Sequence, residues 1–278
     1  MKIDAHHHFW NYDPEEYQWI GDGMEDLKRD FGPADLEAKL KSSGIDGVIS
    51  VQARTNDEEN RFLLDYASKH EFIKGVVGYV DLTRADARAK LEQFSLGHEK
   101  AVGVREVLQG IEDDAYCLRE DFNRGISLLH DFGLVYDILI FPRHITNATT
   151  LVDRHPDQIF ILDHIAKPQI RTSTPDPNWV KHIRELGKRE HVFCKISGMV
   201  TEVDKNIAWS AGLLRPYFEV VFEAFGPNRV MFGSDWPVCL LRSEYRTWVE
   251  TARGLTMLLS DDEQASFWSA NAIAAYGI

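Results

Sequence analysis

The chain predicts an α/β fold, a (β/α)8 barrel of TIM type, from three observations. Eight short apolar runs recur along it, amphipathic segments separate them, and residues capable of chemistry cluster where the runs end. Several runs are continuous Val, Ile, Leu and Phe without polar alternation, the pattern of strands buried on both faces of a parallel sheet. Eight such strands alternating with helices in 278 residues favour a closed barrel over an open sheet.

The strands expected in order are Ile3 to His6, Gly47 to Gln52, Ile73 to Val80, Ala101 to Arg105, Leu134 to Leu139, Ile159 to Asp163, Val192 to Ile196 and Val230 to Ser234. Between them, Asp35 to Lys41 carries Leu36 and Leu40 on one helical face, with Gly44 placed to end the helix. Asn60 to Ser68 does the same with Leu63, Leu64 and Ala67. Arg215 to Phe225 has Pro216 near its first turn, an apolar face of Phe218, Val221, Phe222 and Phe225, and a stop at Gly226-Pro227. Ser260-Asp261-Asp262-Glu263 has the form of a capping box opening the last helix. Residues 170 to 178, with Pro175 and Pro177, read as a surface loop. No repeat or linker divides the chain, so one domain over residues 1–278 is expected.

A composition that is 44% hydrophobic and 27% charged can bury a full core. No apolar run approaches the roughly 18 residues that span a bilayer, and no basic stretch followed by an apolar one suggests a signal peptide. Cys117, Cys194 and Cys239 are far apart and odd in number, which fits neither a zinc knuckle nor a disulfide framework and suits a reducing cytoplasm. A net charge of −13 argues against nucleic acid or an anionic membrane as partner. A homo-oligomer remains open at this stage.

The opening run Met1 to Trp10 holds three histidines within a strand-like context. Alternation along a strand points His6 and His8 the same way, about 7 Å apart, and His7 the other. Such a pair at a strand's C-terminal end can hold a metal or polarise a carbonyl; the competing reading packs one imidazole and solvates the other. Active sites of these barrels gather at the strands' C-terminal ends. There the sixth strand offers Asp163-His164, the eighth Asp235, the fourth Arg105-Glu106 and the seventh Lys195 and Ser197. First and eighth strands become neighbours on closure, so His6, His8 and Asp235 can converge. A carboxylate can take a proton from water, and imidazoles or a metal they hold can stabilise an oxyanion, so the set suggests hydrolysis. Taken singly, Asp235 could instead cap a turn and His164 could be a core histidine. Arg105 and Lys195 are candidates for binding substrate hydroxyls or a carboxylate, against a structural ion pair. Gln52, Trp10, Trp19 and Trp236 lie beside the predicted site, where aromatic faces suit a sugar ring and core packing is the alternative.

These residues carry a resemblance. Asp4-Ala5-His6-His7-His8-Phe9-Trp10, Gly103-Val104-Arg105, Leu162-Asp163-His164-Ile165-Ala166-Lys167-Pro168, Lys195-Ile196-Ser197-Gly198 and Gly233-Ser234-Asp235-Trp236-Pro237 together resemble the amidohydrolase superfamily, in its amidohydrolase-2 lactonase branch. The resemblance runs to Asn271-Ala272 and so covers essentially the whole chain. It implies a distorted (β/α)8 barrel that hydrolyses a cyclic ester, with Asp235 activating water while His6, His8 and His164 hold the electrophilic centre. Tyr17-Gln18-Trp19-Ile20, Val200-Thr201-Glu202 and Trp236-Pro237-Val238-Cys239 are most similar to members that open six-carbon sugar lactones, such as an L-fucono-lactone or a related 1,4- or 1,5-lactone, to the aldonic acid. His6, His8, His164 and Asp235 would make a four-ligand site for a divalent metal such as zinc, whereas other members work without metal. Metal-dependent members usually add a ligand from the middle strands. Here the fifth strand ends Tyr136-Asp137-Ile138-Leu139 without a histidine, and His144 follows five residues later. A zinc-dependent decarboxylase on the same barrel is the rival enzyme, and a non-catalytic ligand-binding barrel the rival from another class.

Overall fold

The computed structural model describes residues 1–278 throughout. Eight parallel strands, β1 (Ile3–His7), β2 (Gly47–Val51), β3 (Ile73–Gly78), β4 (Ala101–Glu106), β5 (Val135–Ile138), β6 (Phe160–Leu162), β7 (Val192–Ile196) and β8 (Val230–Phe232), pair in sequence order. β1 and β8 meet without a regular ladder. Their seam is a parallel bridge between His7 and Trp236, backbone bonds from Asp235 N to His6 O (2.8 Å) and His8 N to Trp236 O (2.7 Å), and Ser234 N donating to Asp4 Oδ1 at 2.8 Å. A (β/α)8 barrel results. β2, β3, β5, β6 and β8 are one or two residues shorter than the apolar runs that predict them, β1 and β4 are one residue longer, and β7 matches its run.

The helices that cover the outside are α1 (Pro33–Ser43), α2 (Asp57–Lys69), α3 (Ala87–Ser95), α4 (Glu120–Leu129), α5 (Ile145–Arg154), α6 (Pro177–Leu186), α7 (Ala211–Phe225) and α8 (Tyr245–Thr256), followed by α9 (Asp261–Ala265) and α10 (Asn271–Tyr276). Gly44 ends α1 in the left-handed region (φ 63°), and Ser260 and Glu263 form the reciprocal cap of α9. α7 begins four residues earlier than Pro216 suggested. Ser210 caps it by accepting from Leu213 N, which leaves Pro216 inside the helix rather than in its first turn. Pro177 opens α6 instead of lying in a loop. No helix is long and apolar enough to cross a membrane.

Two apolar clusters hold the molecule together. The larger lies between the outer faces of the strands and the helices. The smaller fills the barrel's lower interior with Ile3, Ala5, Ile49, Val51, Val77, Val102, Val135, Ile161 and Met231, joined by Ala272, Ala275 and Tyr276 of α10. α10 therefore closes the N-terminal mouth of the barrel. A register shift between Asp4 and His7 lets Ala5 and His6 both address the interior, where strict alternation would have turned His6 outward. This bulge brings the histidine pair over the apolar plug.

Candidate active site

Above the plug, four side chains meet. His6 Nε2 lies 3.2 Å from His8 Nε2, and Asp235 Oδ1 lies 3.4 Å from His8 Nε2, 3.8 Å from His6 Nε2 and 3.9 Å from His164 Nε2. Each ring is held by its other nitrogen. His8 Nδ1 donates to the Val51 carbonyl at 2.8 Å, His6 Nδ1 stands 3.2 Å from Asp163 Oδ1, and His164 Nδ1 bonds Ser197 Oγ at 2.8 Å. With the Nδ1 positions occupied, the Nε2 lone pairs turn toward one point beside Asp235. His7 points away, as alternation requires, to bond Ser50 Oγ.

Burial lowers His6 well below the usual imidazole range, with the Asp163 carboxylate opposing it, so the ring is neutral at physiological pH. Burial likewise brings His164 down to about 4, against the pull of Asp235 and Asp163. For Asp235, burial favours the acid, but the neighbouring His164, His8 and Lys167 outweigh it and hold the carboxyl below its ordinary value. The group is therefore an anion facing the neutral imidazoles of His6 and His164.

Local backbone strain positions two of the four. His164, Ile165, Ala166 and Lys167 all have φ between 49° and 60°, a left-handed turn that L-residues resist by roughly 1–2 kcal/mol each, and Asp235 sits at φ 58°. Gly198 (φ 65°) follows Ser197 and lies against this turn; a Cβ there would come within 2.8 Å of His164 Nδ1. Gly198→Ala is therefore expected to displace the His164 ring and lower turnover about 10²-fold, the scale of an ångström-sized misplacement. Steady-state kinetics beside a thermal melt check it, and turnover within threefold of the parent would show that the ring tolerates the shift.

Below His6 lies a fully enclosed ionic network. Lys195 Nζ pairs with Asp137 Oδ2, lies 3.0 Å from Asp163 Oδ1 and 3.2 Å from His6 Nδ1. Arg105 Nη1 donates to Asp163 Oδ2 at 2.9 Å and approaches His6 Nε2 at 3.3 Å, while its Nη2 donates to the Gln52 carbonyl at 2.6 Å. Sequence reasoning cast Arg105, Lys195, Gln52 and Trp236 as substrate-binding, and their surroundings argue otherwise. Lys195 and Gln52 are 0% exposed, and Lys195 Nζ and both terminal nitrogens of Arg105 are engaged by Asp137, Asp163 and Gln52, while Arg105 Nε has no partner. Trp236 is also 0% exposed, edge-on to Phe9 and Phe31 in the core beneath β8. Trp10 is buried and donates to the Leu27 and Arg29 carbonyls, so of the three tryptophans only Trp19, 42% exposed and bonded to the Ala53 carbonyl, has an open face. His144 does not reach the centre, because its ring bonds Phe141 N and Asp114.

Sequence reasoning missed Asp137, whose position within an apolar strand was the available signal. Asp4 was another such signal: it accepts from Ser234 N and from the Tyr245 hydroxyl, tying the β8 end to β1. Beside the centre opens a cavity of about 860 Å³ whose wall includes Met24, Lys167, Thr201, Glu202 and Arg242. Lys167 Nζ and Glu202 Oε1 lie 3.8 Å apart there, and burial raises the Glu202 carboxyl.

The donor set fits a divalent metal ion. Ligands about 2.0–2.2 Å from a tetrahedral ion stand about 3.3–3.6 Å apart, a range that lies within the 3.2–3.8 Å spacing among His6, His8 and Asp235, with His164 Nε2 3.9 Å from Asp235. His6 Nε2 and His8 Nε2 face one another at 3.2 Å, the separation expected of two nitrogens that share one cation. His6, His8 and Asp235 form one compact donor group, and His6, Asp163 and His164 a second.

A family model described as amidohydrolase matches residues 3–278. The chain belongs to the amidohydrolase family. It is 35% identical to an L-fucono-1,5-lactonase of Burkholderia multivorans, over 100% of this chain and 96% of the relative. A crystal structure of an amidohydrolase from Burkholderia multivorans with bound zinc superposes with a TM-score of 0.95 at 35% identity, covering 100% of this chain and 99% of that one. At 13% identity, a 2,6-dihydroxybenzoate decarboxylase from Rhizobium shares the fold alone, with a TM-score of 0.71 over 99% of this chain and 98% of that one.

Proposed function

We propose that this amidohydrolase hydrolyses a sugar lactone to its aldonic acid, with L-fucono-1,5-lactone as the first substrate. The observation that carries the reading is an anionic Asp235 facing the Nε2 atoms of His6, His8 and His164. The chain's end-to-end similarity to an L-fucono-1,5-lactonase supplies the substrate class. Asp235 accepts a proton from water as the water oxygen bonds to the lactone carbonyl carbon. The ring C–O bond then breaks, and the departing oxygen takes the proton back from Asp235 as a hydroxyl. Zinc held by His6, His8, His164 and Asp235 would supply Lewis-acid polarisation of the carbonyl. Lys167 and Glu202 face the adjoining cavity and are placed to read ring hydroxyls. A decarboxylase would need a cation to grip the substrate carboxylate; Lys195 is held by Asp137 and Asp163, and Lys167 at the cavity stands 3.8 Å from Glu202.

Proton release from L-fucono-, L-rhamnono- and L-galactono-lactone, followed with a pH indicator, tests the assignment. Turnover of one lactone is expected. Silence across the set from folded enzyme, with and without added zinc, would reject it, and carbon dioxide release from an aromatic acid would favour the decarboxylase. Stripping metal with a chelator is expected to abolish turnover and zinc to restore it. Full turnover by demonstrably metal-free enzyme would instead assign carbonyl polarisation to the histidines themselves.

A further inference from the structure

Tyr276 of α10 enters the barrel from its N-terminal mouth, where its ring lies among Ile3, Ile49, Val135 and Met231. Such a ring needs no hydroxyl to fill that space. Yet the hydroxyl stands 3.1 Å from Oδ1 and 3.0 Å from Oδ2 of Asp137. Asp137 Oδ1 has no other hydrogen-bond partner, while Oδ2 receives Lys195 Nζ. The ammonium in turn reaches Asp163 Oδ1 at 3.0 Å and His6 Nδ1 at 3.2 Å, and lies 5.5 Å from the centre of the Tyr276 ring. One unbroken series of buried contacts therefore joins the floor of the barrel to the imidazole at its centre.

We propose that Tyr276 is a positioning residue for His6, acting through Asp137 and Lys195. A lysine ammonium has three protons to distribute. Because Tyr276 donates to Asp137, that carboxylate is satisfied by a single bond from Lys195, and the ammonium keeps its place under Asp163. Asp163 Oδ1 then stays 3.2 Å from His6 Nδ1, placed to take its proton, and Nε2 is left aimed at the centre with Arg105 Nη1 3.3 Å away. Without the hydroxyl, Asp137 Oδ1 is an unpaired acceptor in a water-free interior. The ammonium is drawn down across both Asp137 oxygens, and the hold on Asp163 and His6 slackens.

The proposal rests on His6 belonging to the hydrolytic centre, and its test separates the two. Tyr276→Phe keeps the ring and removes only the oxygen. The expected results are a changed ¹⁵N resonance of the His6 ring in the metal-free protein, assigned by its loss in His6→Gln, and zinc affinity weaker by about tenfold, the lower end for outer partners of a ligand. Turnover number should fall by a similar factor with KM within twofold, because the substrate cavity is untouched. A plug without a relay predicts an unchanged His6 resonance and unchanged zinc affinity, and that result would overturn the proposal. Since the resonance needs no substrate, a moved resonance in an enzyme silent toward lactones would retain the relay and reject the substrate. Should Tyr276→Phe fail to fold, 3-fluorotyrosine at position 276 makes the hydroxyl a stronger donor in the same ring. A shifted His6 resonance then supports the relay, and an unmoved one overturns it.

Discussion

Asp235→Asn is expected to fold like the parent and to lose between about 10² and 10⁴ of turnover, the usual cost of removing a placed general base. The carboxamide matches the carboxylate in shape. Asparagine also tolerates the left-handed backbone at φ 58° better than most residues, so the bond from its amide to the His6 carbonyl should survive. What disappears is the ability to take a proton from water. The replacement can also turn an N–H toward His8 Nε2, 3.4 Å from the present oxygen, and occupy the lone pair there. Turnover measured on the variant, with a melting curve to show an intact fold, decides the matter. Retention of more than a tenth of parental turnover would remove Asp235 from the mechanism.

Lys195→Met should be the most damaging single change for stability. The ammonium is wholly enclosed and answers two carboxylates, Asp137 and Asp163, that have no route to water. Methionine fills much of the volume but leaves Arg105 as the sole cation for both anions. Removing one partner of a buried pair typically costs about 3–5 kcal/mol. At about 2 °C per kcal/mol for a chain of this length, the melting temperature should drop by roughly 6–10 °C. The double variant Lys195→Met/Asp137→Asn should recover part of that loss, since it removes the stranded charge. If the single variant melts with the parent, the network is not a stabilising element. If the double variant is worse than the single, the damage comes from something other than an uncompensated carboxylate.

The barrel was legible because burial on both faces leaves a plain mark: Val48 to Val51 and Phe160 to Leu162 have no polar residue at a period of two that could be solvated, apart from Ser50. The meeting of His6, His8, His164 and Asp235 followed from one rule, that strand ends share a rim, together with closure between the first and last strands. The ionic floor beneath them was not legible. Whether Arg105, Lys195 and Asp163 look up toward a ligand or sideways toward one another depends on which charges their neighbours bring. That was unknown until β5 placed Asp137 opposite Lys195. Trp236 misled for a related reason. It adjoins Asp235 in sequence, but the seam bond from His8 N to its carbonyl turns the indole down into the core. Nor could α10 be placed inside the barrel mouth from its own pattern, because the aspartate that Tyr276 meets lies 139 residues earlier.

The seam between β1 and β8 also fixes when during the life of the polypeptide the centre can exist. Asp4 and Ser234, whose bond ties that seam, are separated by 230 residues. A ribosome adding roughly 5–20 residues per second needs on the order of 10–50 s between making the two. Throughout that interval His6 and His8 have been synthesised while Asp235 has not. The nascent chain therefore carries a half-built imidazole pair on a strand edge without its final neighbour, exposed to stray cations and to other strands. Whatever shields that edge during translation governs the yield of working enzyme.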